Sequence, residues 1–109
     1  MHSEHLVVFV TAPQGAGEAQ IAQTLVRERL AACVSLVPNI RSIYVWQNEL
    51  HDDQEVLLVI KTTADRYVAL EARVKELHPY QVPEIIALPI LKGQADYLSW
   101  VTAGTKAPP

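Results

Sequence analysis

The chain has 109 residues, of which 50% are hydrophobic and 19% are charged, and its formal net charge is −3 at pH 7. This length predicts one domain over residues 1–109, and the composition is that of a folded protein rather than a disordered one. The acidic balance offers no attraction for nucleic acid, and the lack of a long apolar run predicts that no segment spans a membrane.

The first half of the chain predicts a strand, a helix and a second strand. Leu6–Thr11 is a short β-branched run followed by a loop rich in Pro and Gly. From Glu18 to Leu30 the apolar residues recur at helical spacing, which predicts an amphipathic helix. Ala32–Trp46 is rich in β-forming residues, and Pro38–Asn39 inside it predicts a bend or a bulge.

The next segments predict a hairpin and a second helix. Glu55–Thr62 is a β-rich stretch that we expect to pair antiparallel with the preceding strand, with the polar segment Gln47–Asp53 as the hairpin tip. Thr62 and Asp65 have the spacing of a capping box, and the helix that follows must end at Pro79.

The last part of the chain predicts a strand and a short helix. Glu84–Leu91 is apolar, and because Pro89 lacks a backbone donor this strand is expected at a sheet edge. Asp96–Val101 predicts a short closing helix. The ordered core is therefore expected over about residues 5–102, with a loose tail from Thr105 onward.

The order of the elements is βαββαβ plus a short C-terminal helix. This order predicts an α+β fold of the ferredoxin-like, split βαβ type, in which an antiparallel sheet carries both main helices on one face.

The central hairpin is more apolar than a solitary domain of this fold requires. Val56–Ile60 is apolar at five consecutive positions and Ile43–Trp46 at four, so both faces of these strands need cover. A strand from Ala32 to Trp46 would also extend roughly 50 Å, against a diameter of about 34 Å for a compact domain of this size. We therefore expect a projecting hairpin that is covered by identical copies, with β pairing between subunits in a closed ring.

Several strings, taken together and in this order, are specific to one family. They are Thr11-Ala12-Pro13, RLAACVSLVP (29–38), SIYVW (42–46), LLVIKTT (57–63), HPYQVPEIIALPI (78–90) and YLSWV (97–101). The chain resembles the CutA family of divalent-cation tolerance proteins over roughly Leu6–Val101. The resemblance implies a ferredoxin-like fold, a cytoplasmic homotrimer, and a role in the response to copper and other divalent metal ions.

The resemblance also implies a metal site, which this chain matches only in part. Copper coordination in the family is associated with a cysteine before the Thr-Ala-Pro motif and with a His-His pair before the Pro-Tyr motif. Those positions hold Val10, Leu77 and His78 here, so His78 is the one predicted metal ligand. A helix-end histidine that favours the helix dipole is the alternative interpretation.

Polar and aromatic residues inside the apolar strings predict a binding cleft between subunits, where small-ligand pockets often form. The predicted cleft residues are Tyr44, Trp46, Lys61, Tyr80, Glu84 and Trp100. The alternative is that Lys61 and Glu84 form a structural ion pair while the aromatic side chains pack an interface between subunits.

These observations lead to three functional hypotheses. The first is a homotrimeric metal-tolerance protein that binds copper or another divalent cation weakly and needs no cofactor to fold. The second is a trimeric sensor similar to the PII signalling proteins, with a small effector in the intersubunit cleft, and the third is a stable scaffold that docks another protein. No catalytic arrangement of side chains is visible in the sequence, so we expect no enzyme. The single cysteine, Cys33, excludes an internal disulfide and agrees with a cytoplasmic location.

Overall fold

The computed structural model describes residues 4–107 and has the α+β architecture that the sequence predicts. Four antiparallel strands form one sheet in the order β2-β3-β1-β4. The elements in chain order are β1 (His5–Pro13), α1 (Glu18–Arg27), β2 (Cys33–Trp46), β3 (Glu49–Thr63), α2 (Tyr67–Leu77), β4 (Ile85–Pro89) and α3 (Ala95–Gly104), with a 3-10 turn at Ala64–Arg66. Strand β4 lies at an edge, as Pro89 predicts.

The hydrophobic core lies between one face of the sheet and the first two helices. Alternate residues of β1 and β3, including Val8 and Ile60, are fully buried there. Leu25 of α1 and Leu70 of α2 belong to the same cluster. Because side chains alternate along a strand, the second face of the sheet lies outside this core. Helix α3 covers part of that face, where His5 Nε2 of β1 lies 3.1 Å from the backbone oxygen of Leu98.

We call that second face the open face. It carries apolar side chains at positions where a one-layer domain would have polar ones. In β4, Ile86 and Leu88 are 51% and 47% exposed. Their partners across the sheet are Phe9 and Val7 of β1. The excess of apolar surface that the sequence indicates is therefore confirmed for a single copy.

Strands β2 and β3 continue beyond the rest of the sheet as a two-stranded ribbon, which we define as residues 40–46 and 49–54. Strand β1 pairs with β3 only from Glu55 to Thr63, so the ribbon has no third strand. A register shift between Val37 and Ile40 marks its base, where Asn39 has a φ of 63°, and this confirms the predicted bulge. The chain measures 44 Å along its longest axis, which exceeds the compact-domain diameter and fits a projecting ribbon.

The predicted hairpin tip over Gln47–Asp53 is wrong in extent. Only Gln47 and Asn48 form the turn, both with positive φ (51° and 66°), and the strand resumes at Glu49. The polar residues that follow stay in the strand because they have partners across it. The Arg41 guanidinium, for example, donates to both carboxylate oxygens of Asp52, at 2.7 and 2.6 Å.

Two further local predictions need correction. Thr62 does not cap α2, because its hydroxyl is buried and donates to the backbone oxygen of Leu30 at 2.7 Å; Thr63 precedes the 3-10 turn instead. Thr105, expected in a loose tail, is 2% exposed and donates to the backbone oxygen of Val101 at 2.8 Å. Residues 108 and 109 of that predicted tail lie outside the described residues.

The helices between residues 4 and 107 are all too short or too polar to cross a membrane.

Candidate functional site

A cavity of about 780 Å³ lies between the ribbon and the segment that follows α2. The segment contributes Pro79–Val82 and Glu84. The ribbon contributes Ser42, Ile43, Tyr44, Trp46, His51 and Asp53. The volume is within the range that small-molecule sites occupy. A second cavity, of about 460 Å³ beside Thr63 and Asp65, has no aromatic side chain in its wall. The larger cavity is therefore the candidate site.

The imidazole of His78 fixes the segment after α2 against the sheet. Helix α2 ends at Leu77, and the His78 ring then spans two backbone groups: Nε2 lies 2.7 Å from the oxygen of Thr11, and Nδ1 lies 3.0 Å from the nitrogen of Tyr80. The Tyr80 N–H is a donor, so Nδ1 accepts and carries no hydrogen. Nε2 therefore carries the hydrogen and donates it to Thr11. This single tautomer holds Tyr80 at the wall of the cavity.

Two tyrosine–carboxylate hydrogen bonds join side chains in the wall of the cavity. The Tyr80 hydroxyl donates to Glu55 Oε2 at 2.9 Å, and the Tyr44 hydroxyl donates to Asp53 Oδ2 at 2.6 Å. Burial, helped by the bond to Glu55, raises the pKa of Tyr80, while the hydrogen bond to Asp53 is the main cause that raises the pKa of Tyr44. Both phenols therefore stay protonated at neutral pH and keep their donors on the carboxylates.

His51 of the ribbon also lines the cavity. Its ring stacks on Tyr44, with ring centroids 5.1 Å apart and planes 10° from parallel. Its Nε2 atom is buried and has no hydrogen-bond partner within residues 4–107. A buried polar atom without a partner is costly, so this nitrogen is an unsatisfied polar group beside the cavity.

The charge of the cavity wall is of one sign. Its charged members are the carboxylates of Asp53, Glu55 and Glu84, and no lysine or arginine of the described residues lines it. Arg41 lies one strand position away from the cavity side chains, so it points to the opposite face of the ribbon, where it pairs with Asp52. The cavity is consequently a region of negative potential.

The structure brings together four of the six predicted cleft residues. Tyr44, Trp46, Tyr80 and Glu84 line the same cavity. The other two lie elsewhere. Lys61 Nζ donates to the Ser35 hydroxyl at 3.1 Å, and no ion pair joins it to Glu84 among the described residues. Trp100 packs against Tyr97 of α3, with ring centroids 5.8 Å apart.

Sequence reasoning missed three residues of the site, His51, Asp53 and Glu55. Their signal was the strand period of two, which places positions 51, 53 and 55 on the face that Tyr44 and Trp46 occupy. For His51 and Asp53 that signal was hidden because residues 47–53 were assigned to a turn. Glu55 was assigned to the strand but not to the cleft.

The residues at the three positions that the family associates with copper do not fit a metal in this arrangement. Val10 and Leu77 carry no donor atom, and Val10 is fully buried in the core. Both ring nitrogens of His78 are already used, and coordination would require the loss of one of those hydrogen bonds. The part of the chain from Glu4 to Ala107 also has no group of three or more His, Cys, Asp or Glu side chains that could hold a metal ion. The ligand role of His78 stays a prediction that the geometry does not favour.

Comparison with known proteins agrees with the fold and adds a family. Residues 6–104 match the model of the family described as CutA1 divalent ion tolerance protein. The chain is 52% identical over 99 residues to the divalent-cation tolerance protein CutA of Thermus thermophilus, a match that covers 91% of this chain and 96% of that protein.

Solved structures match over the same extent. The divalent cation tolerance protein of Thermus thermophilus gives a TM-score of 0.90 at 51% identity, covering 94% of this chain and 99% of that one. A protein described as the periplasmic divalent cation tolerance protein CutA from Archaeoglobus fulgidus gives a TM-score of 0.89 at 30% identity, with 94% and 99% covered. The resemblance carried by the sequence motifs is thus confirmed, and the chain belongs to the CutA1 divalent ion tolerance family.

Proposed function

We propose that this chain acts in divalent-cation tolerance as a homotrimer, and that it does so by binding a small effector in the cavity rather than by holding copper at His78. The observation that carries the proposal is the cavity itself: about 780 Å³, walled by aromatic and acidic side chains and fixed by the two hydrogen bonds of His78.

The homotrimer is supported by the apolar surface that one copy leaves uncovered. Ribbon side chains are widely exposed, with Val45 at 67% and Leu50 at 74%. The open face adds Ile86 and Leu88. Isolated two-stranded ribbons are marginal in water, so a ribbon of this length needs further packing. The two edge strands, β2 and β4, are free to pair with other copies in a closed ring.

The family name implies a relation to divalent metals, and we propose that this relation is indirect. The donor atoms of the predicted copper site are missing or engaged, as described above. If the chain responds to a small effector, the metal itself does not need to bind to the chain. The protein then works as a binding protein with no catalytic step, and we propose the cytoplasm as its location.

The second candidate is a sensor similar to the PII proteins, and the cavity favours it in part. A small effector fits the volume, but a nucleotide does not fit the charge. Phosphate groups need lysine, arginine or a helix N-terminus. The cavity wall offers carboxylates instead, and Lys61, which we predicted as a cleft residue, does not line it. The effector of such a sensor would therefore not be an anion.

Growth of a bacterial host that lacks its own family member tests the proposed function. The host is grown in raised copper while it expresses the wild-type chain, the cavity variant Trp46→Ala, or the matched control Val68→Ala. Val68 is also an exposed apolar residue, at 79%, but it lies on α2 and does not line the cavity.

We expect the wild-type and control chains to restore growth and Trp46→Ala to fail at equal protein level. No restoration by the wild-type chain would refute the role in tolerance. Full restoration by Trp46→Ala would show that the cavity has no part in it.

A further inference from the structure

We propose that the cavity binds an aliphatic amine that carries two or more ammonium groups. This inference rests on the proposed function and names the chemical class of its effector. Four features of the cavity support it: charge, aromatic surface, free acceptors and size.

The charge of the wall selects a cation. Among residues 4–107, three carboxylates line the cavity and neither lysine nor arginine lines it with them. Two of them, Asp53 and Glu55, are held in place by tyrosine hydroxyls, and Glu55 is only 3% exposed. A buried carboxylate that receives a neutral hydrogen bond still lacks a counterion, so an arriving positive charge gains from all three groups.

The aromatic side chains favour an organic cation over an inorganic one. Tyr44, Trp46 and Tyr80 line the same space as the carboxylates. Aromatic faces attract ammonium groups, and they also bury the methylene groups of an alkyl chain. A hydrated metal ion has no methylene groups, so the burial of alkyl surface on the aromatic rings does not favour its binding.

Unused acceptors provide hydrogen bonds for ammonium groups. Each tyrosine occupies one oxygen of its carboxylate, and the other oxygens, Asp53 Oδ1 and Glu55 Oε1, accept no hydrogen bond within the described part of the chain. The buried Nε2 of His51 also lacks a partner there. Ammonium N–H groups satisfy such acceptors, whereas a quaternary ammonium group has no hydrogen to donate.

The size of the cavity and the spacing of its acids exclude a bare ion. A volume of about 780 Å³ is far more than one metal ion needs. No group of three or more His, Cys, Asp or Glu side chains that could hold a metal ion is present in residues 4–107, so the three carboxylates do not meet at one metal position. A linear molecule with separated charges matches that distribution.

Calorimetric titration of the full-length oligomer at low salt and near neutral pH tests the proposal. The probe is the linear diamine diaminobutane, and its matched control is butanediol, which has the same length and no charge. Magnesium chloride is a second control that supplies divalent charge without a carbon chain. The variants are Asp53→Asn in the cavity and Asp65→Asn on the exposed turn before α2.

We expect saturable binding of diaminobutane and none of butanediol or magnesium over the same concentrations. Loss of one carboxylate should weaken diaminobutane binding by about tenfold or more, the usual scale of one charge-assisted contact. Asp65→Asn should bind as the wild type does. If Asp53→Asn does not fold by circular dichroism, Glu84→Gln replaces it, because Glu84 is an exposed member of the same wall.

Two outcomes would overturn the inference. One is the absence of heat with diaminobutane, and the other is equal binding of diaminobutane by the wild type and the cavity variants. The growth experiment separates this failure from failure of the proposed function. If Trp46→Ala still abolishes tolerance while the diamine does not bind, the cavity is functional and only the class of its ligand is wrong.

Discussion

His78 shows how one side chain can serve structure at a position that suggests chemistry. A histidine at a helix end beside a tyrosine is a reasonable metal ligand by residue type alone. In the structure its Nδ1 accepts from Tyr80 and its Nε2 donates to Thr11. Through these two hydrogen bonds the ring joins β1 to the segment after α2. Sequence alone does not reveal this role, because both partners are backbone atoms.

Replacing His78 tests that role. His78→Ala should lower the free energy of unfolding by about 1–3 kcal/mol, because the part-buried backbone groups of Thr11 and Tyr80 lose their partners. Urea unfolding at fixed protein concentration measures it. Lys75→Ala, an exposed change on the preceding helix, should stay within about 0.5 kcal/mol of the wild type. Copper titration should give the same result for His78→Ala and for the wild type. A copper affinity that disappears with His78 would restore the predicted ligand role.

At the scale of elements, the sequence predicts the strands and helices of the core well and the ribbon poorly. Buried strands such as β1 have apolar runs that only a sheet interior explains. The start of β3 is different, because its polar residues are stabilised by partners on β2. Cross-strand contacts such as Arg41 with Asp52 depend on a register that no local pattern shows. His51 and Asp53 lie on this part of β3, so the sequence did not place them in the site.

The assignment of Gln47 and Asn48 as the turn of the ribbon can be tested by substitution. Gln47 and Asn48 both have positive φ, which is the backbone of a two-residue hairpin turn that favours Asn-Gly. The double change Gln47→Asn and Asn48→Gly should raise the free energy of unfolding by about 1 kcal/mol, since it relieves left-handed strain. Denaturant unfolding measures the difference. Asn48→Val, a β-branched residue at the same position, should lower stability, and a neutral effect of both changes would contradict the turn.

At the scale of the whole molecule, the fold class and the family follow from the sequence. The closed assembly is inferred from the apolar surface that one copy leaves exposed. The ferredoxin-like order of elements leaves one sheet face outside the core, and in this chain that face carries exposed apolar side chains such as Ile86 and Leu88. The sheet edges, the open face and the ribbon all present surface that one copy does not bury. Assembly would bring ribbons of neighbouring copies near each cavity, which is why we predict the cleft as a shared site.

Sedimentation equilibrium at micromolar concentration tests the central claim most directly, since both the shared cleft and the covered ribbon depend on assembly. We predict one species at three times the 12.1 kDa of a single chain. Ile86→Glu, which places a charge on the open face, should shift the population toward smaller species while the helix content is kept. A well-folded wild-type chain that sediments at 12.1 kDa would contradict the claim.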